Sequence, residues 1–376
     1  MEKKRPKVVV AMSGGVDSSV AAALLVEQGY EVIGMMLRLW SEPGRESFNR
    51  CCTPDSMALA KQIAGQLDIP FYAIDAKTDF HDIVVNYFIE GYQQGVTPNP
   101  CMMCNRHIRW EFLLNRALGL GADYMATGHY ARIIHKKNKP TKLLKGIDAK
   151  KDQSYVLSIL NQDQLRHALL PIGEFTKKQI REIAEDHNLP SAQAKESQDL
   201  CFLAGTDYRD FLARNAPMIK NPGRIINMAG DVLGSHEGLA FYTIGQRKGL
   251  GISAETPLYV IDKNKSDNTL IVGQKEDLGR DTLSAENVNW VNGRIPKKEF
   301  SAELKIRYSS KLEPGKVTPI ENNKFSVKFN NPIRNIAPGQ AAVIYEKDEV
   351  IGNGIIAGTH SQPKEFIPIK LLQPTP

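Results

Sequence analysis

The stretch Lys7–Ser19, KVVVAMSGGVDSS, constrains this chain more than any other. Lys7–Met12 is a short, β-branched apolar run of the kind buried in a parallel sheet. Ser18–Gln28 (SSVAAALLVEQ) has helical spacing and ends at Gly29, in the C′ position that glycine favours. Between them, Ser13-Gly14-Gly15-Val16-Asp17-Ser18-Ser19 turns the chain from strand to helix. Two glycines permit a tight turn and close approach to an anion. The helix that follows points its unpaired amides and positive dipole end back at the loop. Ser13, Ser18 and Ser19 add hydroxyls, and together these make a phosphate cradle. The string GxxxxGK[ST] is absent, so γ-phosphate transfer of the usual NTPase kind is not implied. The alternative, an ordinary glycine-rich turn, leaves the serines and Asp17 unexplained.

Strand and helix signals then alternate. Glu31–Leu39, Pro70–Ile74 and Ala122–Thr127 read as strands. Ser56–Leu67, Asp79–Gln93, Asn105–Leu118 and Thr176–His187 read as helices, with Asn105 a candidate N-cap and Thr176/Gln179 at capping-box spacing. This order predicts an α/β fold with a doubly wound parallel sheet. After about residue 205 the chain breaks into short pieces, with strands expected at Arg224–Asn227, Ala240–Ile244, Leu258–Asp262 and Thr269–Val272. From about residue 282, Glu303–Tyr308, Lys324–Phe329 and Ala341–Tyr345 have the pattern of a small antiparallel β-barrel. The expected domains are 1–205, 206–280 and 281–376. No internal repeat is evident.

Five cysteines, an odd number at uneven spacing, do not form a secreted disulfide framework and fit a reducing compartment. The apolar stretch Val8–Met12 is too short for a signal segment, and no run approaches the roughly 20 apolar residues of a membrane helix. The cytoplasm is the expected location. A net charge of +6 suggests an anionic partner. Lys136, Lys137, Lys139, Lys142, Lys145, Lys150 and Lys151 cluster in one stretch, as a solvated hairpin tip or as a phosphate-contacting arm.

Thr97-Pro98-Asn99-Pro100-Cys101-Met102-Met103-Cys104-Asn105 is the second signal. With Asn105 capping the next helix, Cys104 would lie at a helix N-terminus, where the dipole favours thiolate. Thiolate is the reactive form in sulfur exchange. Cys101 and Cys104 alone equally suggest a metal or redox pair, and Cys201 alone reads as a small buried hydrophobe.

Taken together, these segments resemble two nested groups. SGGVDSS is similar to the PP-loop of the ATP pyrophosphatase superfamily, which cleaves ATP between the α and β phosphates and adenylates a carbonyl oxygen. With Cys51-Cys52, TPNP-x-x-x-C-N, Thr127–Arg132 (TGHYAR), Lys151–Tyr155 (KDQSY), Cys201-Phe202 and Tyr242–Ile252 (YTIGQRKGLGI), the chain resembles the bacterial tRNA-specific 2-thiouridylase (MnmA) family. The resemblance implies ATP against Ala11, Met12, Ser13, Gly14, Gly15, Val16, Asp17, Ser18, Met35 and Gly128, with Asp17 as a partner for Mg²⁺. It puts the target base near Asn99, Pro100 and Cys101. Further tRNA contacts would come from His129, Lys151, Asp152, Gln153, Arg307, Tyr308 and Gln340. Cys201 would carry a persulfide received from a donor protein. It would transfer sulfur to C2 of the wobble uridine after O2 is adenylated. Alternatively, Cys104 would first liberate the sulfur by forming a disulfide with Cys201.

Many family members have aspartate where this chain has Cys101. Two readings remain: Cys101, Cys104 and Cys201 form a three-thiolate set for an iron–sulfur cluster, or Cys101 is a spare thiol. Cys51-Cys52 reads as structural, because sequence neighbours rarely make a good disulfide. Two other functional classes compete. A small-molecule PP-loop synthetase explains SGGVDSS but leaves Cys104 and Cys201 idle. A zinc-held RNA-binding module leaves the phosphate loop idle and lacks a second CxxC. The tRNAs used, the sulfur donor and the oligomeric state are not legible in the sequence.

Overall fold

The structure, a computed structural model, describes residues 5–46, 53–194, 200–203 and 205–358. Cys51 and Cys52 lie outside the described residues, as does 195–199, which ends two residues before Cys201.

The first part of the chain supplies strands β1 (Lys7–Ala11), β2 (Glu31–Arg38), β3 (Phe71–Asp75), β4 (Tyr124–Thr127), β5 (Ala131–Ile134), β6 (Lys142–Lys145) and β7 (Ala168–Leu169). Five of them form a parallel sheet in the order β3-β2-β1-β4-β7. The chain moves outward from β1 through β2 to β3, then returns to place β4 on the other side of β1. The sheet therefore has a topological switch point between β1 and β4, where a crevice opens at the carboxyl ends of the strands. Val8, Val9 and Val10 are fully buried, as a central parallel strand requires.

Helix α1 (Val16–Glu27) follows β1 directly, and α2 (Pro54–Gln66) starts from Thr53, whose side chain accepts the Ser56 amide. Two longer helical stretches, α3 (77–93) and α4 (100–119), each contain a π-helical segment, His81–Val85 and Cys104–Leu113. Helix α5 (Lys177–Asp186) has the expected capping box of Thr176 and Gln179.

Two expectations fail locally. Asn105 is not an N-cap. Asn99 caps α4 by accepting the Met102 amide, and Pro100 fills the first helical position, where its missing N–H costs nothing. Ala240–Ile244 is not a strand: Leu239–Phe241 forms a 3₁₀ turn in which Ala240 and Phe241 are buried by tertiary contacts.

The central segment carries helix α6 (Tyr208–Asn215) and strands β8 (Gly223–Ile226), β9 (Val232–His236), β10 (Tyr259–Asn264) and β11 (Thr269–Gly273), ordered β10-β11-β8-β9. The last segment carries β12 (Arg280–Trp290), β13 (Phe300–Lys305), β14 (Glu313–Ile320), β15 (Lys324–Ile333), β16 (Ala341–Glu346) and β17 (Glu349–Gly358). They run β12-β15-β14-β13-β16-β17, and a β12–β17 pairing closes them into a six-stranded antiparallel barrel. The β5–β6 hairpin attaches to β17 through Glu349 and Leu144.

Both later units share a core with the parallel-sheet unit. Barrel residues Val343, Tyr345 and Val350 pack in one cluster with Met35, Trp110 and Tyr155. Central residues Ile225, Val260 and Val272 pack with Phe80, Phe88 and Cys104.

Candidate active site

The phosphate loop lies at the switch point. Gly14 has φ +76°, and a Cβ there would stand 2.5 Å from the Ser56 carbonyl oxygen, so only glycine fits. The Ser18 and Ser19 hydroxyls both donate to the Gly15 carbonyl, at 3.1 and 2.9 Å. The Ser13 amide donates to the Ser18 hydroxyl at 3.2 Å. These bonds shape the loop. Gly15 caps α1 without offering a side-chain acceptor, so the first-turn amides are left for an anion. Met35, on β2, is buried beside the loop and accepts the Met12 amide at 2.7 Å.

Gly128 closes the other side. A Cβ on it would lie 2.6 Å from the Asp17 carbonyl carbon and 2.7 Å from the Ser18 amide. Its neighbours extend the contact. His129 Nδ1 lies 2.7 Å from Thr127 Oγ1, and His129 Nε2 lies 3.1 Å from Arg109 Nη1. An arginine can only donate, so Nε2 accepts and the proton resides on Nδ1. Burial, reinforced by the Arg109 charge, lowers the His129 pKa to about 3. A neutral histidine thus ties the end of β4 to helix α4, the helix of Cys104.

Cys104 is 8% exposed within the cluster of Phe80, Phe88, Ile108, Phe202 and Phe211. Cys201 opens the 3₁₀ turn Cys201–Leu203 and packs, partly buried, against the same cluster. The tertiary structure therefore brings together two cysteines that are far apart in sequence. Cys101 is exposed in the first turn of α4, and Cys104 follows one turn deeper. The strongest part of the helix N-terminal field therefore acts at Cys101, contrary to the placement expected for Cys104.

The segment before α4 is held by the barrel. Gln340 Nε2 donates to the carbonyls of Thr97 and Pro98, at 2.9 and 3.3 Å, and the Thr97 amide donates to Pro338 at 2.8 Å. Arg307 Nη2 donates to the Ile244 carbonyl at 3.0 Å, and burial lowers its pKa. The Tyr308 pKa is raised by burial first, then by Asp152 and Cys101, which places these groups around one another. Residues from all three units thus converge around Asn99 and Cys101.

The remaining expected contacts are placed as follows. Asp152 is buried, and its carboxylate accepts from the Gly146 and Ser154 amides and the Ser154 hydroxyl. Gln153 Oε1 accepts the Tyr130 amide at 2.9 Å, and the Lys151 amide donates to the Asp148 carbonyl. Within the lysine cluster, Lys142 pairs with Glu349 and Lys145 with Asp348 on the barrel. Lys136, Lys137 and Lys139, at the hairpin tip, are exposed.

Neither implied metal fits. Among the described residues, no three His, Cys, Asp or Glu side chains are grouped to hold a metal ion. One of the three thiols is exposed while another lies within an apolar cluster, so a cluster ligand set is not formed. Asp17 Oδ1 accepts from both Lys177 Nζ and Tyr130 OH, each at 2.7 Å. A magnesium ion on this carboxylate, at about 2.0–2.1 Å, would face an ammonium.

Lys177, Tyr130 and Arg109 were not singled out in the sequence. Tyr130 lies inside TGHYAR. Lys177 had a faint signal: a cation in the first turn of a helix opposes the dipole and needs an anion nearby.

Three family models cover most of the chain. Residues 6–205 match one described as a tRNA methyl transferase HUP domain. Residues 209–274 match a tRNA methyl transferase PRC-barrel domain, and 280–356 an aminomethyltransferase beta-barrel domain. Nearly full-length relatives carry a different activity in their names. The chain is 46% identical to tRNA-specific 2-thiouridylase MnmA of Carboxydothermus hydrogenoformans, over 94% of this chain and 98% of that protein. It is 47% identical to the protein of that name from Natranaerobius thermophilus, over 93% and 97%. For that of Clostridium perfringens the identity is 42%, over 95% and 99%. With its phosphate loop at the switch point and its two cysteines at one cluster, the chain belongs to the tRNA-specific 2-thiouridylase MnmA family.

Proposed function

We propose that this protein is a tRNA-uridine 2-sulfurtransferase that uses ATP to replace O2 of the wobble uridine, position 34, with sulfur. The observation that carries the reading is the continuous link from phosphate loop to cysteine helix. Gly128 touches the start of α1, and His129 next to it holds Arg109 on the helix of Cys104. A small-molecule synthetase has no use for that link or for a second cysteine at the same cluster.

In this reading ATP lies against Ala11–Ser18, Met35 and Gly128, its phosphates on the first turn of α1. The uridine is splayed out of the anticodon loop toward Asn99, Pro100 and Cys101, because C2 is inaccessible in stacked RNA. O2 attacks the α-phosphorus and pyrophosphate leaves. The terminal sulfur of a Cys201 persulfide then attacks C2, and AMP leaves with the former O2. Cys104 thiolate attacks Cys201 Sγ, the S–S bond breaks, and its electrons leave the sulfur on the base. Alternatively Cys104 attacks first, and the released sulfide attacks C2. Either route ends in a Cys104–Cys201 disulfide, which a cellular dithiol must reduce. A protein persulfide supplies the sulfur, and the site of action is the cytoplasm.

His129, Lys151, Asp152, Gln153, Arg307, Tyr308 and Gln340 make up the tRNA-facing side in this proposal. Several act through the backbone they fix. Magnesium enters as the counter-ion carried by the phosphates, and no step passes through an iron–sulfur cluster. Among the described residues no helix is long and apolar enough to cross a membrane.

The test uses Cys104→Ser and Cys201→Ser with tRNA, ATP and a persulfide donor, quantifying 2-thiouridine by nucleoside mass spectrometry. Both variants are expected to lose thiolation while binding ATP like the parent. Full activity in either would overturn the assigned roles.

A further inference from the structure

The string YTIGQRKGLGI, Tyr242–Ile252, has no role in the site described above, yet its root is fixed against that site. Thr243 Oγ1 lies 3.5 Å from Thr97 Oγ1, in the segment that leads into Asn99. The Ile244 carbonyl accepts from Arg307 at 3.0 Å. Gly245 has φ +84°, and a Cβ on it would stand 1.9 Å from Asn335 Oδ1. The Gly245 amide donates to the Val260 carbonyl on β10, and the Val260 amide donates back to Gln246, at 2.8 and 2.9 Å. All three units therefore grip residues 243–246. Lys248 is five residues from Thr243, so the two lie within about 18 Å of each other.

Beyond Gln246 the loop changes character. It curls around a cavity of about 360 Å³ whose lining includes Arg247, Gly249, Gly251, Glu255 and Thr256. Among the described residues, no protein group accepts the amides of residues 247–256. Gly249 and Gly251 have φ +74° and +69°, with Leu250 buried between them. Left-handed residues at alternate positions turn neighbouring amides to one side, which is how a backbone nest holds an anion. The side chains add positive charge. Arg247 and Lys248 are exposed, and among the described residues neither pairs with a carboxylate. Arg209, on α6, brings Nη1 to 3.0 Å from where a Cβ on Gly249 would stand, while its Nε lies 3.7 Å from Asp207 Oδ1. Glu255 is the carboxylate on the cavity wall.

Water alone can satisfy the amides of an exposed loop, and surface cations are common. Here converging amides, unpaired cations and a root held in place occur together, and a site formed in advance loses little entropy on binding. The location selects the anion. A uridine splayed toward Asn99 leaves its backbone phosphates outside the pocket, at the rim where this loop stands. Two adjacent outward cations suit a chain of charges better than a single small anion.

We propose that the 247–252 loop, with Arg247, Lys248 and Arg209, is a binding site for backbone phosphates of the tRNA anticodon loop beside the splayed uridine. The proposal rests on the tRNA reading of the site and extends it to the central unit. Phosphate contacts fix register and carry no sequence information, so the loop positions the RNA while the Asn99 segment receives the base. The Glu255 carboxylate opposes the anion, so its removal has a defined sign.

The test measures dissociation constants on the full chain for tRNA, for an anticodon stem–loop RNA and for ATP, each over a sodium chloride titration. The double variant Arg247→Gln, Lys248→Gln is expected to weaken both RNAs by about tenfold or more at low salt. The slope of log affinity against log salt is expected to shrink by about one to two. ATP is expected to bind as in the parent. Glu255→Gln is expected to tighten both RNAs by about two- to fivefold, the size of one exposed like-charge contact. Arg247, Lys248 and Glu255 are exposed, so these substitutions leave the fold intact. Unchanged RNA affinity and slope in the double variant would overturn the proposal and leave the loop to a protein partner or to solvent. A loss confined to full-length tRNA would also overturn it, by placing the contact away from the anticodon. So would weaker RNA binding by Glu255→Gln, or a loss of ATP affinity in the double variant. Inorganic phosphate is expected to displace the stem–loop no better than sodium chloride of equal ionic strength. Stronger displacement from the parent, absent in the double variant, would make this a free-anion site instead. A parent that binds neither RNA would overturn the tRNA reading itself, an outcome distinct from all of these.

Discussion

His129 stays neutral across the physiological range because it is buried and faces a guanidinium. Its unfolded pKa is near 6.5 and its folded pKa about 3. Between these values the unfolded chain binds the extra proton, so stability rises with pH there. It is intact above pH 6.5 and falls as pH drops toward 3, by about 1.4 kcal/mol per pH unit for one proton. His129→Gln keeps an acceptor for Arg109 and cannot take up the proton. Its denaturation midpoint is expected to be less pH-dependent than the parent's between pH 6.5 and 4.5, and equal slopes would contradict the buried neutral tautomer. Cys101 gives a second prediction at this scale. It is exposed and belongs to no grouped ligand set among the described residues. Anaerobically purified protein is expected to be colourless and iron-free, and so is the Cys101→Ser variant. Stoichiometric iron with a visible band that Cys101→Ser abolishes would reinstate the cluster.

Two elements carry the site, and each starts in a way a single substitution can disturb. Helix α4 starts at Asn99, whose side chain accepts the Met102 amide at 3.3 Å. Asn99→Ala is expected to cost about 1 kcal/mol, the usual worth of an N-cap, read as a lower urea midpoint at unchanged slope. Strand β4 is followed directly by Gly128, against the Asp17–Ser18 peptide. Gly128→Ala adds a methyl group where the contact is 2.6 Å, so strand and helix must separate. ATP affinity is expected to fall more than about tenfold, while a change of under twofold would show that the loop tolerates the shift. Much at this scale was legible: β1, α1, the C′ glycine Gly29 at φ +81°, and the capping box of Thr176 and Gln179 all follow from local patterns. The start of α4 was misread because Asn99-Pro100 and Asn105 both carry cap chemistry, and only the backbone decides between them. Ala240–Ile244 was misread because a short apolar run has no period to distinguish a strand from a buried turn.

At the scale of the molecule, the barrel reaches back to the first unit. Gly339 has φ +89°, and a Cβ on it would lie 2.9 Å from the Thr97 carbonyl oxygen, while Gln340 holds Thr97 and Pro98. Gln340→Ala removes those donors from the segment leading into Asn99. The expected result is a several-fold higher KM for tRNA with ATP affinity unchanged, because the phosphate loop lies on other elements. An equal loss in both would place the effect in global stability instead. By itself the amino-acid sequence determined the local chemistry: a phosphate cradle between a strand and a helix, thiols at Cys101, Cys104 and Cys201, and the alternation that makes a parallel sheet. Such features depend on neighbours a few residues away, and side-chain type and spacing report them directly. Only the tertiary structure decided that Cys104 and Cys201 share one apolar cluster, that His129 faces Arg109, and that Lys177 meets Asp17. Those pairings join segments far apart in the chain. They are set by how buried faces of the sheet, helices and barrel fit together, which no local pattern encodes.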